Sequence, residues 1–295
     1  MTDDAPWTVG RLLAWTTDFL RGKGAESPRL DAEVLLAAAR GCQRIELYTT
    51  FDEVPSEGVR TKFKELVRRR AEGAPVAYLV GHREFFSLSF DVTPDVLIPR
   101  PETELLVVRA IDLSRSLASS QDTLRFADVG TGSGILAVCC AKHLPECRVT
   151  ALDISPAALA VAATNAAKHG VAKRIEFVES DLFANCPPDA RFDLVLCNPP
   201  YVATDELAEL DPGVRNHEPH LALDGGVEGI EVIQRLIPQA VERLRPGGWL
   251  LLEVSPLNAT RVETLVESTA GLTRQATIND LAQHPRVVQG QRSSC

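Results

Sequence analysis

The chain has 295 residues, 45% of them hydrophobic and 24% charged, and a net charge of −9. That length is long for one domain and suits two, and the composition is that of an ordinary globular protein, which excludes a fibrous or disordered chain. The acidic balance argues against an obligate or stable nucleic-acid binder, which usually carries a basic patch, and leaves room only for a local basic face. The seven cysteines form no CxxC pair and no His/Cys ligand spacing. They read as free thiols of a reducing cytoplasm, and no metal site is expected. Met1-Thr2-Asp3-Asp4 lacks the basic start and apolar core of a signal peptide. No apolar stretch reaches the roughly 18 residues that span a bilayer, so a cytoplasmic protein without membrane contact is expected.

From Trp7 to about Val80 the pattern is helical. Thr8 caps a segment carrying Leu12, Leu13, Trp15, Phe19 and Leu20, closed near Gly22 and Gly24. Ser27-Pro28 opens a second helix with Leu30, Val34, Leu35 and Ala38 inward, and Gly41 ends it. Pro55-Ser56 starts a third, with Val59, Phe63, Leu66 and Val67 at helical spacing. Arg60, Lys62, Lys64, Arg68, Arg69 and Arg70 on its other face read as a solvated surface, with a docking patch for an acidic or RNA-bearing partner as the second reading. Residues 1–82 are thus expected to form a small helical bundle. Residues 83–99 are expected to form a β-hairpin linker, since Phe85 to Phe90 and Val92 to Ile98 alternate and carry the turn residue Pro94. Pro101 with Glu102 and Glu104 then opens a helix.

After a Ser/Gln/Asp loop at 114–123, strands and helices alternate through residues 100–295. Strands are expected at Arg125–Val129, Arg148–Leu152, Arg174–Val178, Phe192–Cys197 and Trp249–Val254, with Gly247-Gly248 as the stop before the last. Two more fall near Leu272–Ile278 and Arg286–Gln289. Helices lie at Gly134–His143, Pro156–His169 and Glu228–Leu244. Such alternation predicts an α/β fold, a parallel Rossmann-like sheet with helices on both faces.

The chemistry gathers at the strand ends, where open α/β sheets bind ligands. The first strand runs into Asp128-Val129-Gly130-Thr131-Gly132-Ser133-Gly134, whose glycines let a ligand approach the backbone closely. Asp128 would attract an ammonium group and repel a pyrophosphate, which favours a ligand with an amino-acid end over a dinucleotide. Asp153, at the tip of the second strand, can accept both hydroxyl hydrogens of a ribose. Asp181 and Leu182, after the third, suit the amine and the face of an adenine. Amino acid, ribose and base in that order spell S-adenosylmethionine. The fourth strand ends in Asn198-Pro199-Pro200-Tyr201. Two prolines hold a stiff extended corner. On it, the Asn198 amide and the carbonyls near Pro199 can accept both hydrogens of a planar –NH2 group while Tyr201 packs on its plane. Taken alone, this corner reads almost as well as a strand-ending turn with a packed tyrosine.

Gly130–Gly134, Asp153 and Asn198–Tyr201 resemble the class I S-adenosylmethionine methyltransferases that act on a planar amine or amide. Gly81-His82-Arg83-Glu84-Phe85, Leu97 to Glu104, Glu218-Pro219, Ala222 to Gly226 and Pro285-Arg286-Val287-Val288 narrow this to the HemK/PrmC family of release factor glutamine methyltransferases, over about residues 8–290. The resemblance implies a substrate-recognising helical domain, a hairpin linker and a methyltransferase domain. It also implies methylation of the glutamine amide in the Gly-Gly-Gln loop of class 1 peptide chain release factors. Asn198, Pro199, Pro200 and Tyr201 would then be catalytic, and Asp128, Gly130–Gly134, Asp153, Asp181, Leu182 and Asn198 would meet the cofactor. One departure is Glu253 to Asn258, where the family has a glycine and a glutamine after the acid. No expected contact lies in that loop. The amide nitrogen is a poor nucleophile, so most of the catalysis would be orientation, worth up to about 7–11 kcal/mol in favourable intramolecular cases. The rival readings are a ribosomal-protein glutamine and the exocyclic amine of adenine in DNA or RNA. A non-enzymatic protein that keeps the fold is a third, and the intact motif set argues against it.

Overall fold

In the computed structural model, residues 6–117 and 123–294 are described. The expected acidic start, part of the 114–123 loop and Cys295 lie outside them. Contacts divide the chain into two compact units, Met1–His82 with Pro212–His217, and Arg83–Asp211 with Glu218–Cys295.

The first unit is helical: α1 (Val9–Gly22), α2 (Pro28–Arg40), α3 (Glu46–Thr49), α4 (Glu57–Ala71) and α5 (Val76–Val80). Thr8 Oγ1 and Ser56 Oγ cap α1 and α4 by accepting from Arg11 N and Val59 N. Ser27 makes no such bond, and Pro28 alone marks the start of α2. Leu13, Leu20, Leu35, Leu36, Phe63 and Val67 form the buried seam. The basic face of α4 is not uniformly solvated. Arg68 bonds Glu65 and Glu72 at 2.6 Å each, while Arg70 reaches Asp31 at 2.7 Å and is largely covered.

β1 (His82–Phe85) starts on the last residue of the first unit's main segment, and β2 (Leu88–Asp91) follows in the second unit. This hairpin is shorter than expected. It turns at Phe86 and Ser87, both at positive φ (49° and 59°), and residues 92–98 form no strand. Local bonds explain the difference. Phe86 N donates to Glu104 Oε1 at 2.9 Å. Asp91 N and O are both taken by the Asn165 side chain, so the chain leaving β2 is tied to a helix.

Then come α6 (Glu104–Leu117), β3 (Leu124–Val129), α7 (Ile135–His143), β4 (Cys147–Asp153), α8 (Pro156–Lys168), β5 (Ile175–Glu179) and β6 (Phe192–Cys197). After the short α9 (Pro212–Arg215) of the helical unit follow α10 (Glu231–Arg243), β7 (Leu244–Glu253), α11 (Ala259–Ser268), β8 (Leu272–Asn279) and β9 (Pro285–Arg292). The sheet order is β5-β4-β3-β6-β7-β9-β8. The five strands expected from the alternation pair in parallel, and the two further strands make the sheet mixed: β9 runs antiparallel to β7 and to β8. Gly247-Gly248 does not precede β7 but lies inside it, where the register against β6 slips between Phe192 and Leu194 and Gly247 takes φ 78°.

The chain adds β4 and β5 on one side of β3, then crosses to lay β6 on the other. This reversal is the position at which doubly wound sheets bind ligands. Register aligns Val129 with Leu152 and with Cys197, so the loops after β3, β4 and β6 leave the sheet at one level. Among the described residues no helix is long and apolar enough to cross a membrane, and no cluster of His, Cys, Asp or Glu could hold a metal ion.

Candidate active site

The loop after β3 folds over the end of β4: Gly130 N and Thr131 N donate to Leu152 O at 2.8 and 2.9 Å. Gly130 (φ 73°) and Gly132 (φ 55°) have nothing within 4 Å of the place a Cβ would occupy. A side chain there would fill an open cradle and strain the backbone. Gly134 differs. Its Cβ would stand 3.0 Å from Ala162 Cβ, so this glycine lets α7 pack on α8 and does not line the cavity. Ser133 lines it while its carbonyl accepts from the buried Asn165 amide at 2.9 Å.

Asp128 is placed otherwise than expected. It is 1% exposed and absent from the cavity wall. Its Oδ2 accepts from Thr131 Oγ1 at 2.7 Å and from Ala137 N at 3.0 Å, which locks the loop onto the first turn of α7. Oδ1 has no hydrogen-bond partner. Burial pushes the carboxyl up to about 7 against those two bonds.

Asp153 does line the cavity. Its Oδ2 accepts from Gly132 N at 2.8 Å and its Oδ1 from Ser155 N at 2.9 Å, which leaves the carboxylate with acceptor capacity to spare. Burial raises its pKa while the backbone N–H groups oppose the rise. Ser155 caps α8 through Ala158 N at 3.2 Å. Asp181 and Leu182 also reach the cavity, Leu182 at φ 53°. Asp181 is not a lone carboxylate there: it pairs with Arg235, which lines the same wall.

At the end of β6, Asn198 and Pro200 line the cavity; Pro199 is buried and Tyr201 turns away from the wall. Asn198 Nδ2 donates to Thr103 Oγ1 at 3.1 Å, which leaves Oδ1 as the free acceptor. Thr103 is fully buried on the turn Pro101–Thr103. Beside it stands Glu253, 2% exposed, pushed by burial up to about 7; the hydroxyls of Thr103 and Tyr201 oppose that rise as hydrogen-bond donors. Tyr201 is itself shifted upward, first by burial and then by the charge of Glu253.

The corner is braced from behind. Val202 N donates to Leu223 O at 3.0 Å and Gly225 N to Val202 O at 2.8 Å. A Cβ on Gly225 would lie 2.7 Å from Pro200 O, and one on Gly229 (φ 70°) 2.7 Å from Tyr201 O, so only glycine admits this approach. Asn258 Nδ2 donates to Tyr201 O and to Gly229 O, both at 3.3 Å. The Glu253–Asn258 stretch, expected to carry no contact, therefore supports the corner at both of its ends. Glu218, 4% exposed, accepts from Ile98 N at 3.1 Å and from Arg100 at 2.6 Å, tying the segment before Thr103 to the loop after the corner. Thr103, Glu218, Glu253 and Asn258 were not singled out from sequence as site residues. All four fall inside stretches whose residue pattern drew attention, but nothing in a linear pattern shows which side chain meets the corner.

A cavity of about 260 Å3 joins these parts, walled by Gly130–Ser133, Asp153, Asp181, Leu182, Asn198 and Pro200 among others. Glycine cradle, carboxylate and amide acceptor thus share one wall.

Known proteins resemble the chain over most of its length. Residues 11–81 match the family of the PrmC N-terminal domain, and residues 110–211 the methyltransferase small domain. A release factor glutamine methyltransferase of Rhodopirellula baltica is 52% identical over 292 residues, covering 99% of each chain. One of Geobacter sulfurreducens is 42% identical over 248 residues, covering 84% of each. Among solved structures, the hMettl16 catalytic domain in complex with MAT2A 3'UTR hairpin 1 superposes with a TM-score of 0.54 at 17% identity, over 78% of this chain and 81% of that one, a likeness of fold.

Proposed function

Because this chain belongs to the family of release factor glutamine methyltransferases, we propose that its target is the glutamine of the Gly-Gly-Gln loop of class 1 peptide chain release factors, gripped at Asn198. The chain is an S-adenosylmethionine-dependent protein-glutamine methyltransferase. The observation that carries the reading is that Asn198 offers a fixed, free amide oxygen to the cavity walled by the glycine cradle and Asp153.

The residues present fit the cofactor. The open space above Gly130 and Gly132 admits a ligand against the backbone. Asp153 keeps acceptor capacity at the cavity for ribose hydroxyls. Leu182 offers an apolar face for a base, with Asp181 near enough to take its amine while held by Arg235. Thr131, Ser133 and Gly134 shape the loop, and the unpartnered Oδ1 of Asp128 lies beneath it. When bound, S-adenosylmethionine supplies the methyl group.

The chain's own part is orientation. An amide lone pair is delocalised into its carbonyl, so the nitrogen must be held with its plane and hydrogens fixed. Asn198 Oδ1 accepts one N–H group, and the second is left to the backbone of the corner, where Pro200 lines the cavity and Pro199 is buried. Pro199 and Pro200 stiffen the corner, and Tyr201 backs it. Glycines flanking the target residue let a protein loop extend far enough to reach it. The helical unit recognises the body of the release factor, and the reaction takes place in the cytoplasm. Digesting labelled release factor and locating the label by mass spectrometry tests this reading. Methyl on the Gly-Gly-Gln glutamine is expected; methyl on another residue would overturn the assigned target.

A further inference from the structure

We propose that Trp7, Arg11, Trp15, Phe19 and Lys23 form a ridge along α1 that seats in an apolar groove with an acidic rim on the body of the release factor. This rests on the reading above, in which the helical unit recognises that protein, and goes beyond it by naming the face and the chemistry it meets.

The five residues recur at every fourth position, from the residue before the cap of α1 to the residue that closes it. Side chains four apart are neighbours on a helix, so the five run along one side of α1. The core is served by other positions: Val9, Leu13 and Leu20 lie fully buried in the seam of the unit. Trp15 is instead 51% exposed. An indole left half in water forgoes much of the gain its burial would bring. Apolar side chains exposed singly are ordinary, whereas contiguous ones mark a contact surface.

Here they are contiguous. Trp15 stacks on Phe19 with ring centres 5.0 Å apart and planes 9° from parallel. Trp7 meets Trp15 edge to face, at 6.3 Å and 89°. Arg11 lies over the Trp7 ring at 4.4 Å and Lys23 over the Phe19 ring at 5.9 Å. Phe19 in turn packs against the buried seam and roots the ridge in the unit. Each side chain holds its neighbour, so little freedom remains to be lost when a partner arrives. Tryptophan and arginine held in this way are the residues on which protein contacts most often depend.

The same geometry selects the partner. Bases of a single strand stack on open aromatic planes, but Phe19 already carries Trp15 and Lys23, and Trp7 carries Arg11. A second copy of the chain would bring the cations of one ridge against those of the other. Asp18 offers such a copy no relief, because it is engaged by Arg21 at 2.5 Å. A groove in another protein remains, apolar where it receives the ring edges and acidic where it meets Arg11 and Lys23.

The test follows methylation of release factor at varied release factor concentration, using the full chain, Trp15→Ala and the double reversal Arg11→Glu with Lys23→Glu. Each variant should raise KM for release factor by about tenfold or more, keep kcat within about twofold and leave calorimetric affinity for S-adenosylmethionine unchanged. Added salt should raise the wild-type KM and lower that of the double reversal, because screening weakens attraction in one and repulsion in the other. Unchanged KM in both variants, with wild-type methylation intact, would overturn the ridge alone. No methyl on release factor from the wild-type chain would overturn the substrate reading, and the partner of the ridge with it. A wild-type dimer in sedimentation that Trp15→Ala disperses would overturn the assigned partner, as would a single-stranded RNA bound by the wild type and not by Trp15→Ala. If either variant fails to fold, the other decides together with the salt dependence of the wild type.

Discussion

Asp128 and Asp153 both end strands beside the glycine loop, and their surroundings give them different work. Asp153 keeps acceptor capacity at the cavity. Asp153→Ala should therefore weaken S-adenosylmethionine by about 1.5–3 kcal/mol for each charge-assisted bond lost, read by calorimetric titration. Unchanged affinity would remove Asp153 from the site. Asn198→Ala should bind the cofactor nearly as well and lose turnover; substantial turnover at saturating substrate would contradict the orientation mechanism. Asp128 is enclosed, with a pKa raised from 3.8 to about 7. The stability tied to that raised value is present below 3.8 and is lost as pH rises through about 7. Asp128→Asn removes the ionisation, so its unfolding temperature relative to wild type should climb across that window. A constant difference would show that Asp128 does not titrate in the folded state. Sequence reading gave both aspartates a ligand contact and could not show that Asp128 is enclosed. A strand buried on both faces shows no inside–outside alternation, so its pattern hides the direction each side chain takes.

Among the elements, the corner after β6 depends on segments far away in the chain. Gly225, Gly229 and Asn258 press on it from behind, and Glu218 ties down the segment that carries Thr103. Gly229→Ala would set a Cβ 2.7 Å from Tyr201 O at φ 70°. It should lower kcat severalfold while leaving calorimetric affinity for S-adenosylmethionine near wild type. Equal losses in both would place the damage in the whole domain instead of the corner. The helices were legible because caps and apolar spacing are local, as at Thr8 and Ser56. The hairpin was not read in full. Phe86 and Ser87 lie at positive φ, which neither residue favours, and the bonds from Asn165 that end β2 come from 74 positions away. Likewise Gly247-Gly248 marks a bulge that resembles a stop until the pairing with β6 is seen.

At the scale of the molecule, strand-helix alternation forecast the sheet and the wall where its loops meet, since a right-handed crossover leaves few other topologies. The reversed direction of β9 was beyond it, because a strand's length and composition do not state its orientation. The two units also divide less simply than along one boundary, as Pro212–His217 clusters with the helices. Deleting residues 1–80 should impair methylation of intact release factor far more than binding of S-adenosylmethionine; parallel losses would deny the helical unit a role in recognition. Net charge of −9 favours a protein target over a phosphate backbone. The most direct measurement offers the purified enzyme labelled S-adenosylmethionine together with release factor, release factor lacking the loop glutamine, ribosomal protein and DNA in competition. Label is predicted in the intact release factor alone. Label in the altered release factor, or faster entry into DNA or ribosomal protein, would contradict the assignment.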